Sequence, residues 1–277
     1  MHKRISNVIA TGIVLVSIIV LAGLFIVACI PQPSYLRMPS SLSAYSFTGF
    51  RPPSSMSPAS VRFTVAVVEP FYKERVHHDY SKVIRSFSNS VGVGLDQILI
   101  SKGMTTKGPY GSLDEIPYPD KQNSNLTLTE TVFIVPVEKE QRNTEDINYY
   151  DSNGNTLLCE VKSGKLAVEI WLAFEMREPL SAEKMWIKRL DLGVFERDYQ
   201  IGTKKYWHSN PQTDPWAPPT GAWKYGEMMF NTKPDMLADI LNEVYPKLMN
   251  SAWVYLDADE MKRLEIKVKE IRELKRY

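Results

Sequence analysis

The stretch LAVEIWLAFEMREPLSAEKMWIKRL, residues 166–190, decides the fold. Its large apolar side chains recur at every second position, and these are Leu166, Val168, Ile170, Leu172, Phe174 and Met176. A period of two predicts a β-strand with one face in the core and the other partly solvated. Arg177–Ser181 contains a proline and predicts a turn, so Met185–Leu192 returns as the second strand of a hairpin.

Two further strands are predicted upstream of this hairpin. Thr127–Val137 supplies one, and the turn-forming cluster Asp151–Asn155 separates it from the hairpin. The run Phe63–Val67 alternates apolar residues and ends at Glu69-Pro70, which predicts the other.

Three segments have the spacing of amphipathic helices. The first covers residues 79–102, where Gly92 and Gly94 each weaken the interior by up to about 1 kcal/mol relative to alanine, so we expect close packing against another backbone. The second opens at Thr232–Asp235, with a hydroxyl cap and an early proline, and Pro246 predicts a kink in it.

The third helix begins near Asp257 and leaves two roles open. Its apolar residues repeat at intervals of three, four and three, the pattern of a coiled-coil seam, and are Met261, Leu264, Val268 and Ile271. Either this helix packs on its own domain, or residues 257–277 associate with a second copy or a partner. Together the segments predict one α+β domain over residues 61–277, a mixed or antiparallel sheet packed by one long central helix and two C-terminal helices. A small α/β unit around the first strand and helix is the alternative.

The N-terminal segment is predicted to insert into a membrane. Val8–Ile30 holds 23 residues without a charge, long enough for a retained membrane helix. However, Ile26, Val27 and Ala28 stand directly before Cys29 and resemble a bacterial lipobox, in which the cysteine is lipidated and becomes the mature N-terminus. We therefore predict a signal peptide over residues 1–29. Ile30, in place of aspartate, favours the outer membrane, while the periplasmic or surface orientation stays open.

The chain after the cysteine has the composition of an extended tether. Residues 30–60 are rich in proline and serine, and their aromatic side chains are candidates to dock onto a neighbouring protein. With Cys29 lipidated, Cys159 has no partner for a disulfide, and its apolar surroundings predict a buried thiol.

An ordered set of short motifs runs through the whole mature chain, namely Cys29, Val68–Phe71, Gln97–Leu99, Lys102-Gly103, Leu172–Leu192, Leu241-Asn242 and Met261–Lys275. In this order they resemble the neuraminyllactose-binding haemagglutinin lipoproteins, a family of surface lipoproteins classed as sialic-acid-binding adhesins. The resemblance implies a lipid-anchored binding protein. It departs at the family's Lys-Arg-Thr motif, where this sequence has Glu138–Glu145. Lys139 and Arg142 are the cations there, but the surrounding glutamates would repel a sialic carboxylate, so the architecture carries over and the sialic-acid motif does not.

Composition excludes several other functions. The 33 basic residues balance 32 acidic ones, which excludes a broadly basic nucleic-acid binder. His77 and His78 are adjacent and point apart on an ordered element, so no metal site is expected. The sequence has no Gly-rich phosphate loop and no nucleophile elbow, and we predict neither an enzyme nor a cofactor.

Besides Lys139 and Arg142, the candidate binding residues are aromatic. Trp207, Trp216, Trp223 and Tyr225 lie in a Pro-rich stretch that predicts a loop. Its rings either cover the sheet edge or core, anchor a protein partner or stack on a glycan. We therefore predict an outer-membrane, lipid-anchored, non-catalytic binding protein that resembles surface adhesins. It meets the membrane through Cys29 and binds envelope proteins or a host glycoconjugate. The alternative is a structural or accessory lipoprotein of a secretion or flagellar apparatus.

Overall fold

The computed structural model describes residues 36–37, 45–54, 61–72, 80–150, 156–209 and 221–275. Four helices are present in these residues: α1 (Ser81–Ser101), α2 (Tyr118–Asn123), α3 (Lys233–Tyr255) and α4 (Ala258–Lys275). The strands are β1 (Leu36–Arg37), β2 (Thr64–Val68), β3 (Phe71–Tyr72), β4 (Thr105–Tyr110), β5 (Leu126–Tyr150), β6 (Thr156–Arg177), β7 (Lys184–Ser209) and β8 (Gly221–Asn231). The α+β class predicted from the sequence is confirmed.

The eight strands form one mixed sheet. Its main order is β4-β2-β5-β6-β7-β8, and β1 and β3 pair with β5. The pairs of β2 with β4 and of β1, β2 and β3 with β5 are parallel, whereas β5 to β8 form an antiparallel meander. The predicted hairpin of β6 and β7 is thus present, at the centre of a larger array.

Helices cover one half of the meander. This covered half comprises residues 126–138 of β5, 164–177 of β6 and 184–199 of β7. The alternating set that begins at Leu166 is fully buried, and it belongs to one core cluster with apolar residues of α1, α3 and α4. Burying such side chains supplies about 25 cal/mol per Å² of apolar surface, which makes this half the main source of stability.

The rest of the meander buries the opposite face. This distal half comprises residues 143–150 of β5, 156–163 of β6, 200–209 of β7 and all of β8. Here Cys159 and Val161, at odd positions, are buried with Tyr149 and Phe230 in a separate cluster. Two glycines mark the change. Tyr199 lies over Gly164 in the main core, whereas Phe230 lies over Gly202 in the distal cluster.

The close packing expected at the glycines of α1 is present. A Cβ atom on Gly94 would lie 2.8 Å from Tyr245 Oη of α3 and closer still to Met249 Sδ, while one on Gly92 would lie 3.1 Å from Pro70 Cδ. The partners are therefore side chains, not the backbone we expected.

The C-terminal helices begin as predicted, but with different caps. Thr232 does not cap α3 with its side chain; its hydroxyl donates to Gln200 O at 3.0 Å and accepts from Gln200 N at 2.7 Å. Pro246 lies inside a helix that continues to Tyr255. Asp257 Oδ1 accepts from the backbone N–H groups of Asp259 and Glu260 and so caps α4.

The seam predicted on α4 faces the chain's own core. Met261, Leu264 and Val268 are buried members of the main cluster. These three side chains are consequently not free to form a seam with a second copy, so self-association of residues 257–277 through them is not supported.

Arg272 fastens the end of α4 to the sheet. Its Nε donates at 2.9 Å to Glu178 Oε1 in the β6–β7 turn, and the carboxylate of Glu178 is fully buried. The Arg272 guanidinium also donates to the carbonyl oxygens of Lys121, Gln122 and Ser124 at the end of α2. One side chain therefore joins three elements that are distant in sequence.

Part of the predicted tether packs on the domain. Phe47 is buried, with its ring 5.2 Å from that of Phe87 in an edge-to-face contact. Tyr45 Oη donates to Asp235 Oδ1 at 3.2 Å, and Ser86 Oγ donates to Tyr45 O. These two aromatic residues dock on their own domain and not on a neighbouring protein.

Several predictions lie outside the described residues: the signal peptide with Ile26, Val27, Ala28 and Cys29, the turn 151–155 and the pair His77-His78. Within the described part of the chain, none of the helices is both long and apolar enough to cross a membrane.

Candidate functional site

Two tryptophans meet near the tip of the β7–β8 hairpin. Trp207 lies directly opposite Trp223, and their rings contact edge to face, with centroids 5.4 Å apart and an interplanar angle of 76°. The two residues are 49% and 48% exposed, and Tyr225 beside them is 56% exposed. We call Trp207, Trp223 and Tyr225 the aromatic hairpin. Trp216 lies outside the described residues.

The loop predicted for these residues is wrong at both ends. Trp207 belongs to β7, and Trp223 and Tyr225 belong to β8. The sequence pattern did not predict these two strand segments, because most of their residues are polar or aromatic and do not alternate with apolar residues. The exposure of the rings also excludes the interpretation that they fill the core.

The aromatic hairpin continues the face that the helices cover elsewhere. Trp207 shares its face of β7 with Thr203 and Lys205, which lie opposite or next to the even-numbered residues of β6. In the covered half, the even positions of β6 hold buried residues of the main core. In the distal half, the even positions include Glu160 and Lys162. The same side of the sheet is thus apolar under the helices and polar beyond them.

Hydrogen bonds fix the polar groups beside the rings. Lys205 Nζ donates to both carboxylate oxygens of Asp146, at 2.9 and 2.6 Å, and lies 5.3 Å from the ring centroid of Trp223. Tyr225 Oη donates to Glu160 Oε1 at 3.1 Å. The hydrogen bond to Asp146 raises the pKa of Lys205, and the hydrogen bond to Glu160 raises the pKa of Tyr225.

This arrangement suits binding through ring faces and edges. The tryptophan pair offers apolar area that loses little rotamer entropy on binding, since each ring has only two side-chain torsions. The Asp146, Glu160 and Lys205 groups around it already have partners, so the two carboxylates can accept, and Lys205 can donate, further hydrogen bonds without an unpaired buried charge. A sugar ring or an apolar protein side chain fits such a platform.

Lys139 lies on the opposite face and belongs to a different cluster. Its Nζ donates to Glu196 Oε1 at 2.7 Å, and Lys165 approaches the same carboxylate at 3.4 Å. The hydrogen bond from Lys139 lowers the pKa of Glu196. The structure therefore does not bring Lys139 to the aromatic hairpin, and the side chain of Arg142 lies outside the described residues.

The strand that was predicted to end near Val137 continues through the segment Glu138–Glu145. β5 continues to Tyr150, with a register shift between Lys139 and Asn143. Since neighbours in a strand point to opposite faces, Glu138 does not share the face of Lys139. Glu138 instead accepts from Tyr80 Oη at 3.0 Å and from Lys233 Nζ at 2.9 Å, between the starts of α1 and α3.

Two other surfaces were missed from the sequence. Val135, Val137 and Val194 lie on the outer face of the covered half and are 44%, 50% and 64% exposed. A cavity of about 410 Å³ lies between α1 and the segment 47–50, lined in part by Asn89 and Tyr245. The valines follow the period of a strand, but their sequence alone does not say which face helices would cover.

Comparisons with known proteins identify the fold. No family model matches the chain, and no curated protein sequence matches it significantly. A crystal structure from Helicobacter pylori, described as that of a neuraminyllactose-binding hemagglutinin homolog, is 16% identical to it, with a TM-score of 0.51 over 82% of this chain and 99% of that one. The chain shares the fold of that protein.

Two other crystal structures match less closely. A Xanthomonas campestris protein of family DUF330 is 11% identical, with a TM-score of 0.32 over 77% of this chain and 95% of that one. A minor lipoprotein from Acinetobacter baumannii is 9% identical, with a TM-score of 0.28 over 70% of this chain and 93% of that one.

Proposed function

We propose that this chain is an exported, lipid-anchored, non-catalytic binding protein of the bacterial outer membrane that engages its ligand with the aromatic hairpin. The observation that carries the proposal is the edge-to-face pair of Trp207 and Trp223, half-exposed on a strand pair beyond the helices. Tryptophan is enriched among residues that dominate binding energy, and rings on strands are held more rigidly than rings on loops.

The ligand class follows from the chemistry around the rings. The exposed ring surfaces accept a sugar face or an apolar side chain, while Asp146 and Glu160 offer acceptor oxygens to hydroxyl or N–H donors. Lys205, the cation beside the rings, is paired with Asp146. A strongly anionic ligand would therefore have to displace Asp146 from Lys205. A neutral glycan or a protein segment with an apolar anchor fits better than a sialic carboxylate.

Anchoring rests on the lipobox before Cys29. Cys29→Ser is expected to abolish incorporation of labelled palmitate, because the thioether cannot form on serine. Cys159→Ser is the matched control, since that thiol is buried in the distal cluster and is expected to leave labelling intact. Unlabelled wild-type protein would exclude the lipoprotein assignment and point to a retained membrane helix.

Binding is tested on the full chain with Trp207 and Trp223 both changed to alanine. Glycan arrays and binding to intact host cells are the probes, and we expect a loss of at least about 2 kcal/mol in binding free energy. Tyr206→Ala is the matched control, because Tyr206 is similarly exposed on β7 but faces the other side of the sheet. An equal loss in both variants would remove the aromatic hairpin from the proposal.

A second function is favoured by a different observation. The exposed valines Val135, Val137 and Val194 lie around Glu169 on the outer face, and exposed apolar side chains there suit a permanent contact within a multiprotein envelope apparatus. Purification from detergent-solubilised envelopes separates the two functions. A fixed stoichiometric set of envelope proteins that is lost in Val194→Lys would support the structural lipoprotein, whereas an unpartnered chain exposed on intact cells would support the free binding protein.

A further inference from the structure

We infer that the outer edge of β8 is a self-association surface, on which a second copy of this chain adds its own β8 in the antiparallel direction. β8 ends the main order of the sheet, and among the described residues it pairs only with β7. One row of its backbone N–H and C=O groups is therefore open to a further strand. This surface is the edge of the strand, it includes Trp223 of the aromatic hairpin, and its proposed pairing does not depend on the ligand.

Exposure extends along the strand. Every side chain from Ala222 to Met228 is exposed. Lys224 and Glu227, three residues apart, carry opposite charges, and neither forms an ion pair or a side-chain hydrogen bond within the part of the chain that the structure describes. Two such charges of opposite sign on one edge can form ion pairs with a copy of the same strand, and these ion pairs would stabilise the pairing.

The sequence of β8 is complementary to itself in one register. When Tyr225 of one copy lies opposite Tyr225 of the other and the bulged residues Gly226 and Glu227 count as one position, Lys224 lies opposite Glu227 and Trp223 lies opposite Met228. Two-fold symmetry then forms the Lys224–Glu227 and Trp223–Met228 pairs twice. Directly opposite residues have Cβ atoms about 4.5–5.5 Å apart, which allows an ion pair in one case and a sulfur–aromatic contact in the other.

Symmetric pairing also requires that opposite residues lie on the same face, and a β-bulge supplies this. Tyr225 pairs with Lys205 and Met228 with Thr203, so three steps on β8 span two steps on β7. The extra residue places Met228 on the face of Trp223, although the two are five residues apart. It likewise places Glu227 on the face of Lys224.

The central pair is Tyr225 with Tyr225 of the second copy, and both lie on the same face. Gly226 lies on the side of Tyr206, since a Cβ atom there would lie 3.1 Å from the Tyr206 ring, and it shares the bulge with Glu227. With the bulge counted, opposite residues lie on one face throughout, so the register is sterically permissible.

The other open edge of the meander is different. In the described residues, β5 has no neighbour on its outer side between Phe133 and Asn148, but Pro136 lies within that stretch. Proline cannot donate a backbone hydrogen bond and is typical of strand edges that stay unpaired. β8 contains no proline, so the two edges differ in their capacity to accept a strand.

The test is a charge exchange on the full chain, produced with two different affinity tags and purified in detergent. Wild-type copies are expected to copurify. Lys224→Glu paired with itself, or Glu227→Lys paired with itself, places like charges opposite each other twice and is expected to weaken association about tenfold or more. Lys224→Glu paired with Glu227→Lys restores both ion pairs, and copurification is expected to return.

Cysteines test the register independently of charge. The double variant Trp223→Cys, Met228→Cys is expected to form a disulfide-linked dimer on mild oxidation, while Trp223→Cys alone is not. Thermal melts of each variant show that the exposed substitutions leave folding intact. A wild-type chain that sediments as a monomer would overturn the inference. Lys224 and the bulge would then be features that keep the edge of β8 from pairing. Association that is equal in all charge variants would overturn it as well, because it would come from another surface.

Discussion

The covered and distal halves of the meander are built from the same strands but are stabilised differently. In the covered half the even positions of β6 are buried under helices with most of the core. In the distal half the odd positions are buried, in a cluster of four residues. Because the side-chain period of a strand is two, this exchange requires no break in the ladder, only a change in which face is covered.

The difference teaches where a long sheet can carry function. The covered half has little freedom to change, since each buried side chain contacts several elements. The distal half needs few apolar residues and leaves its other face to Trp207, Trp223 and Tyr225, together with the open edge of β8. Low local burial and exposed hydrogen bonds are typical of binding regions.

The largest expected effect separates the cores of the two halves. Phe174→Ala removes a fully buried ring from the main cluster and is expected to lower the free energy of unfolding by about 3–5 kcal/mol in chemical denaturation. Phe230→Ala removes a ring from the four-residue cluster and is expected to cost less, with faster hydrogen exchange confined to the distal half. Equal losses, with exchange that rises throughout the chain, would show that the two halves unfold as one unit.

The next largest effect is expected in the pH dependence of stability, and it comes from a buried acid in the covered half. Glu130 is buried in the covered half with no hydrogen-bond partner among the described residues, and burial raises its pKa to about 8. The unfolded state loses this proton near pH 4.5 and the native state only near pH 8, so stability falls as pH rises between these values. This fall amounts to up to about 5 kcal/mol at pH 9, and denaturation curves at several pH values are expected to show that Glu130→Gln removes it.

Glu160→Gln is the control for that experiment. Glu160 lies at the surface of the distal half, where it accepts from Tyr225, so its substitution measures what the loss of an exposed carboxylate does to the same denaturation curves. The same profile for wild type and Glu130→Gln would mean that Glu130 is solvated in the native state.

A smaller effect tests the helix packing above the covered half. Gly94→Ala places a Cβ atom against Met249 and Tyr245 and is expected to lower stability by about 1–3 kcal/mol, despite the better helix propensity of alanine. Gly92→Ala, in the same helix, meets only the ring of Pro70 and is expected to be close to neutral or stabilising. Thermal melts of both variants suffice, and stabilisation by Gly94→Ala would show that α3 shifts freely.

The smallest effect is expected at the aromatic hairpin. Trp207→Ala removes a half-exposed ring and is expected to change the free energy of unfolding by no more than about 0.5–1 kcal/mol, whatever it does to binding. A loss as large as that of Phe230→Ala in the same denaturation experiment would assign Trp207 to the packing of the distal half.

Local patterns predicted much of the covered half. The strand Phe63–Val67 and the helix over 79–102 agree with β2 and α1 to within a few residues, and so does the turn of the predicted β6–β7 hairpin. Each has a single period over its whole length and a clear end signal, such as Pro70 or Gly103. Local propensity, apolar pattern and tertiary packing agree in these elements.

The distal half was harder to predict because its pattern changes within a strand. In β6 the buried residues are odd up to Val161 and even from Leu166, so one strand of 22 residues resembles two separate strands. Because the buried face changes in the same region, the sequence pattern did not predict the continuation of β5 beyond Val137, and it predicted a loop for the residues of the aromatic hairpin. Which face is covered depends on distant elements, and no local period contains that information.

The length of β7 has a mechanical consequence. Its 26 residues, at about 3.3 Å each, could reach up to about 85 Å if the strand were straight, and its ladder to β6 continues from the Arg272 clamp towards the aromatic hairpin. A pull on a ligand held near the tip would load this ladder along the strands, where many hydrogen bonds share the force at once. The meander would then act as a stiff lever that transmits the force from the ligand to the half covered by helices.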